Sequence, residues 1–156
     1  MEPMTDKLTF RLESVEATRA LGAKISGIAR KGDTIALRGD LGAGKTSFAQ
    51  GFLQARCPGV EVTSPTFTLI QTYGAEDDEI WHVDLYRIND LRELEELGLE
   101  EALGERLVLI EWPERMEETL PEDRLDVRLY HGQTAGRRAE LCPWGSWCAR
   151  IEKITT

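Results

Sequence analysis

GDLGAGKT, Gly39 to Thr46, is the stretch whose reading decides the fold. It fits Gly-x-x-x-x-Gly-Lys-Thr in full: Gly39, Asp40, Leu41, Gly42, Ala43, Gly44, Lys45 and Thr46, with Ser47 next. Holding a polyphosphate requires residues in this order. Glycines let successive backbone N–H groups turn inward as a nest for an anion. A helix that begins near Gly44 adds the partial positive charge of its N-terminus. Lys45 reaches the β- and γ-phosphates, and the Thr46 hydroxyl is a ligand for Mg²⁺. The context agrees: TIALRG reads as a buried strand ending at Gly39, and SFAQGFLQAR reads as a helix that Pro58 and Gly59 end.

Upstream of the loop, LTFRL (Leu8 to Leu12) alternates like a short strand. A helix follows with Ser14 as its N-cap, Val15, Leu21, Ile25 and Ile28 near helical spacing, and Gly32 as its stop. Downstream, FTLIQTY and EIWHVDLY predict two strands joined by the polar turn from Gly74 to Asp78. DLRELEELGLEEALG predicts one helix that opens with a capping box, Asp90 with Glu93, and carries Leu91, Leu94, Leu97 and Leu103 on one face. RLVLIEW is the most apolar strand. RLDVRLY, RAELC and SWCARI, separated by glycine turns, predict late antiparallel strands. Helices alternate with strands early and strands gather late. The expectation is an α/β chain of P-loop NTPase fold: three α/β/α layers around a central mixed, partly parallel sheet, in a single domain over residues 1–156.

At 156 residues the chain is long enough to bury one core but hardly two. No apolar run approaches the roughly 20 residues of a membrane span. The start MEPMTDKLTF lacks the basic, then apolar, pattern of an export signal, so a cytoplasmic protein is expected. Cys57, Cys142 and Cys148 match no metal spacing and read as reduced thiols. The net charge of −9 is uneven: Glu76 to Asp126 holds 19 acidic and 5 basic residues, so the remainder of the chain is net positive. Such an acidic flank repels a nucleic-acid backbone, which excludes this chain as the main binder of an RNA. The plainer account of the same charge is a solvated face that keeps the protein in solution.

A phosphate loop alone binds; hydrolysis needs a further carboxylate at the end of a neighbouring buried strand. Glu111, ending LVLI, and Asp84, ending IWHV, both fit. One would hold the metal while the other orients the attacking water. Thr66, within SPTF, is placed to sense a γ-phosphate, although a simple Ser-Pro turn explains that stretch equally well. His82 reads as a satisfied core or edge histidine and Trp112 as a packed residue. Arg87 and Arg137 read as surface residues able to neutralise phosphate.

Taken together, GDLGAGKTSF, TSPTFTL, HVDLYR and LIEWPE resemble, in order and spacing, the bacterial TsaE family, formerly called YjeE. The likeness runs from about Leu8 to about Leu141. It implies a small ATPase needed to make threonylcarbamoyladenosine in tRNA. Gly39 to Ser47 would bind the phosphates of ATP, and Thr46 and Glu111 would ligate Mg²⁺. Asp84 would orient or activate the water, Thr66 would contact the γ-phosphate, and Lys45 would act on the transferred charge. The resemblance also brings Trp112 and Arg137 (of GRRA) beside the nucleotide, and sets the base near Ser14 to Ala17. Ser47 stands where many relatives have threonine, and the tail CPWGSWCARI matches nothing in the family pattern. The family further implies a partner, the TsaB–TsaD pair that performs the transfer, so that tRNA is met only through that complex.

Two other readings use the same residues. A small-molecule kinase would need an acceptor pocket and an arginine-rich lid. Arg56 is the lone arginine between the phosphate loop and Asp84. A nucleotide-dependent binding module would share every motif and differ only in turnover, which a Glu111 substitution separates.

Overall fold

The computed structural model describes residues 7–40, 42–63, 65, 69–131 and 137–154. Seven strands form one sheet: β1 (Leu8–Leu12), β2 (Thr34–Arg38), β3 (Ile70–Tyr73), β4 (Ile80–Asp84), β5 (Leu107–Glu111), β6 (Leu125–Tyr130) and β7 (Arg137–Pro143). Their spatial order is β1-β7-β6-β2-β5-β4-β3. The four central strands, β6, β2, β5 and β4, run parallel, while β3, β7 and β1 are antiparallel to their neighbours. Burial explains the centre: β2 and β5 are buried at every position, the pattern of strands covered on both faces.

One face is covered by α1 (Val15–Ile28) and α2 (Lys45–Arg56), whose Leu21, Ile25, Phe48 and Phe52 pack with Ile35, Leu37 and Leu109 of the sheet. Phe48 and Phe52 are wholly buried, each stabilising the fold by about 1.5–3 kcal/mol relative to exposure. The two helices approach closely because a Cβ on Gly51 would overlap the carbonyl oxygen of Arg19. The other face is covered by α3 (Arg92–Leu97), α4 (Leu99–Ala102) and a 3₁₀ segment, Pro113–Thr119. Leu94, Leu99 and Met116 pack there on Val83, Val108 and Ile110. These are the three layers expected, with the mixed sheet between.

Four local expectations are corrected. SWCARI is not a strand: it lies in α5 (Trp147–Arg150) and the 3₁₀ turn Ile151–Ile154. Its buried residues Trp147, Ile151 and Ile154 recur at helical spacing, and Arg150 fixes the segment by a fork onto Asp33 at 2.7 and 2.8 Å. β6 joins the parallel centre beside β2, so of the late runs only β7 is antiparallel throughout. α1 ends at Ile28 rather than at Gly32. Its last carbonyls are taken by distant arginines: Arg56 donates to Ser26 and Ala29, and Arg150 to Ile28. The acidic helix is two helices, broken by the left-handed Gly98. Asp90 accepts from the Arg92 amide at 2.9 Å, so no box with Glu93 forms, and Leu91 and Leu97 are exposed. The Ser14 cap stands as expected, its hydroxyl accepting from the Ala17 amide.

Candidate functional site

The loop between β2 and α2 is set by its glycines. Gly44 adopts φ 109° as the residue preceding α2, a conformation that other residues rarely reach, and no side chain caps the helix behind it. The first amides of α2 therefore face outward at the C-terminal end of the parallel strands, where an anion is best placed. Lys45 starts the helix and is 5% exposed. Its Nζ lies 3.6 Å from the centroid of the Trp112 ring and is buried without a hydrogen bond among the described residues. Burial pulls its ammonium below the ordinary 10.5, against the opposing pull of Glu111 and Asp84.

Those two carboxylates close the site from the sheet. Asp84 ends β4, Glu111 ends β5, and the register sets them side by side. Each is 6% exposed. Alternation places both on the face that α2 covers, so they lie under the N-terminus of that helix. Asp84 Oδ1 accepts from the Tyr86 amide at 3.0 Å. Burial, and then the Glu111 charge, hold its carboxyl above the ordinary 3.8, although the Tyr86 amide and Lys45 pull it back. Glu111 Oε2 lies 2.7 Å from His82 Nε2.

Trp112 follows at φ 60°, a left-handed position that turns the chain off β5 and lays the indole over Lys45. Its ring meets that of Tyr86 at 4.9 Å. The segment behind it is anchored where Arg38, at the end of β2, forks onto Glu117 with two contacts of 3.0 Å.

A cavity of about 650 Å³ opens here, lined by Gly42, Gly44, Lys45, Thr46, Ser47, Asp84, Glu111, Trp112 and Arg137, with Val15, Tyr86 and Arg87 at its margin. Gly39, Asp40 and Ala43 line a second cavity of about 360 Å³ on the other flank of the loop, which shares Trp112 with the first. Leu41 and Thr66, also expected at the site, lie outside the described residues. Val15 is 37% exposed at the start of α1, inside the stretch expected near the base. Two residues take places that the sequence reading did not give them. Tyr86 lies within the HVDLYR motif, but the sequence reading gave it no role. His82 is buried as a core histidine would be, but is bonded to Glu111.

Among the described residues no cluster of three or more His, Cys, Asp or Glu is able to hold a metal by itself. Thr46 and Glu111 supply hard oxygen donors suited to Mg²⁺, which keeps most of its coordination for water and substrate phosphates. The donor set therefore fits a metal that arrives with a nucleotide. No helix among the described residues is long and apolar enough to cross a membrane.

Comparison with known proteins gives the chain a family and its fold a solved counterpart. The family model described as "Threonylcarbamoyl adenosine biosynthesis protein TsaE" matches residues 12–139. The tRNA threonylcarbamoyladenosine biosynthesis protein TsaE of Bacillus subtilis is 40% identical over 122 residues, 78% of this chain and 76% of the relative. That of Rickettsia conorii is 41% identical over 119 residues, 76% of this chain and 68% of the relative. Among solved structures, Bacillus subtilis YdiB superposes with a TM-score of 0.77 at 29% identity, covering 98% of this chain and 99% of that one.

Proposed function

This chain belongs to the TsaE family, and from that premise we propose that it is a Mg²⁺-dependent ATPase serving the biosynthesis of threonylcarbamoyladenosine in tRNA. In this reading residues 1–156 form one ATPase domain that works in the cytoplasm. It acts on the TsaB–TsaD pair instead of transferring the group itself, and meets tRNA through that complex. The observation that carries the reading is Lys45: a buried ammonium without a hydrogen bond, at the start of an uncapped helix and beside two buried carboxylates. A polyphosphate supplies the hydrogen bonds that this cation lacks.

The residues divide the work. The loop from Gly39 to Ser47 binds the phosphates through backbone amides, and Lys45 bonds the transferred group. Thr46 and Glu111 hold Mg²⁺, which when bound neutralises charge on the phosphate oxygens. Asp84, its carboxyl raised by burial, orients the water and accepts its proton. Thr66 contacts the γ-phosphate. Trp112 and Arg137 flank the nucleotide, and the base lies along the start of α1 near Val15. An ATPase that resets a partner needs no acceptor pocket of its own, which separates this reading from a kinase.

The test is steady-state ATP hydrolysis by the purified chain, alone and with TsaB–TsaD. A severalfold rise with the pair is the expected result. Equal turnover with and without it would remove the coupling from the proposal.

A further inference from the structure

His82 has no part in the scheme above, yet its surroundings are those of a working group. It lies on β4 with Asp84, and the parallel register sets His82 opposite Leu109 and Asp84 opposite Glu111. All three polar side chains therefore share the face under α2, and His82 reaches diagonally to Glu111 on the neighbouring strand. The imidazole is 2% exposed, and its Nε2 lies 2.7 Å from Glu111 Oε2. An ionised carboxylate only accepts, so Nε2 carries the proton. Nδ1 is buried without a partner among the described residues. Leucine would fill this volume without leaving a polar atom unpaired, so packing alone does not account for a histidine here.

We infer that His82 is a positioning residue for Glu111: by donating Nε2–H to Oε2 it fixes the rotation of that carboxylate and leaves Oε1 available to the Mg²⁺ that Glu111 and Thr46 would hold. Asp84, which the register sets beside Glu111, does not do this work, because an ionised carboxylate has only acceptors to offer another carboxylate. The inference rests on the proposal that ATP and Mg²⁺ bind at this cavity. It adds the group that sets the metal ligand's orientation, a role in which substitutions typically lower metal affinity by about 10- to 100-fold.

The experiment measures ATP affinity calorimetrically, with Mg²⁺ and with EDTA, for the wild type, His82→Leu and His82→Gln, with thermal melting to establish folding. The wild type is expected to bind ATP more tightly with Mg²⁺. His82→Leu is expected to match it in EDTA and to lose about tenfold or more of the Mg²⁺ gain. His82→Gln, whose amide still donates at similar reach, keeps most of the gain. An undiminished gain in His82→Leu overturns the inference, as does an equal loss with and without Mg²⁺, which marks a purely structural role. If His82→Leu fails to fold, His82→Asn, whose shorter amide does not reach Glu111, takes its place with the same outcomes. A wild type that binds no ATP in either condition overturns the nucleotide reading itself; a wild type that binds without any Mg²⁺ gain overturns the role given to His82.

Discussion

The ammonium of Lys45 sits 3.6 Å from the centroid of the Trp112 ring, and the indole face takes the place of a hydrogen-bond partner. A cation–π contact of this kind is worth about 2 kcal/mol when desolvated, which leaves part of the burial penalty standing. Lys45→Met should therefore weaken ATP binding by about 10- to 100-fold, the worth of one charge-assisted hydrogen bond. The nucleotide-free variant should melt no lower than the wild type. Calorimetry and thermal melting check the two halves, and a variant that bound ATP normally would remove Lys45 from the site.

Asp84 gives a prediction with a sign in pH. Its folded carboxyl titrates above the ordinary 3.8, chiefly through burial. The folded state then binds more protons than the unfolded state in the window just above that value. Stability contributed by this group falls as pH rises through the window. Asp84→Asn keeps the oxygen that accepts from the Tyr86 amide but cannot ionise. It should melt higher than the wild type at neutral pH, with the gap closing as pH falls toward about 4. ATP turnover should drop by about 10²- to 10⁴-fold, the usual worth of a general base. Melting curves across pH together with turnover decide it; a gap of constant size would show that burial of the charge is not the cause.

Glu111→Gln separates an ATPase from a binding module. Gln keeps the size of the side chain but is a poor ligand for Mg²⁺. Binding of ATP in EDTA should stay within about twofold while Mg²⁺-dependent turnover is lost, the expected effect of removing a metal ligand. If cells carrying the variant made threonylcarbamoyladenosine normally, turnover would not be the function, and nucleotide-dependent binding would be.

The positions of these residues were legible because each follows a strand-like run: the apolar LVLI before Glu111, the more polar IWHV before Asp84 and TIALR before the loop. Buried parallel strands announce themselves this way, and a phosphate loop fixes what lies at their ends. The contacts that complete the site were not legible. Tyr86 meets Trp112, and His82 meets Glu111, only once β4 lies beside β5, and no local pattern encodes that adjacency. The same cause explains the misplaced end of α1, whose carbonyls are satisfied by Arg56 and Arg150 from far along the chain. SWCARI failed differently. Over six residues the period of two and the helical period cannot be told apart, and the deciding residue, Ile154, lies beyond the window.

Two glycine-to-alanine changes should act with opposite signs. A Cβ at Gly51 would overlap the Arg19 carbonyl oxygen and force α1 away from α2. Overpacking of this kind costs about 1–3 kcal/mol, more than the gain of up to about 1 kcal/mol in helix propensity. Gly51→Ala should lower Tm by several degrees. Gly27, exposed on α1, has nothing within 4 Å of its Cβ position, so Gly27→Ala keeps only the propensity gain and should raise Tm slightly. If both changes stabilised the protein, the helices would not be as close as Gly51 implies.

The acidic flank gathers around α3 and α4, where Glu95, Glu96 and Glu100 are exposed. None of the three takes part in an ion pair among the described residues, so the charge is available to a partner, and no internal contact is lost by reversing it. Surface charge of one sign acts most on the rate of encounter and on its salt dependence. Reversing the three residues to lysine should slow association with TsaB–TsaD by about 10-fold or more at low salt, with the difference shrinking as salt is raised. Intrinsic ATP binding should be unchanged, since none of the three lines the cavity beside the phosphate loop. Association kinetics at two ionic strengths provide the check. An unchanged rate would return the flank to its plainer role of a solvated face, while faster binding would mean that the flank keeps a like-charged partner at a distance.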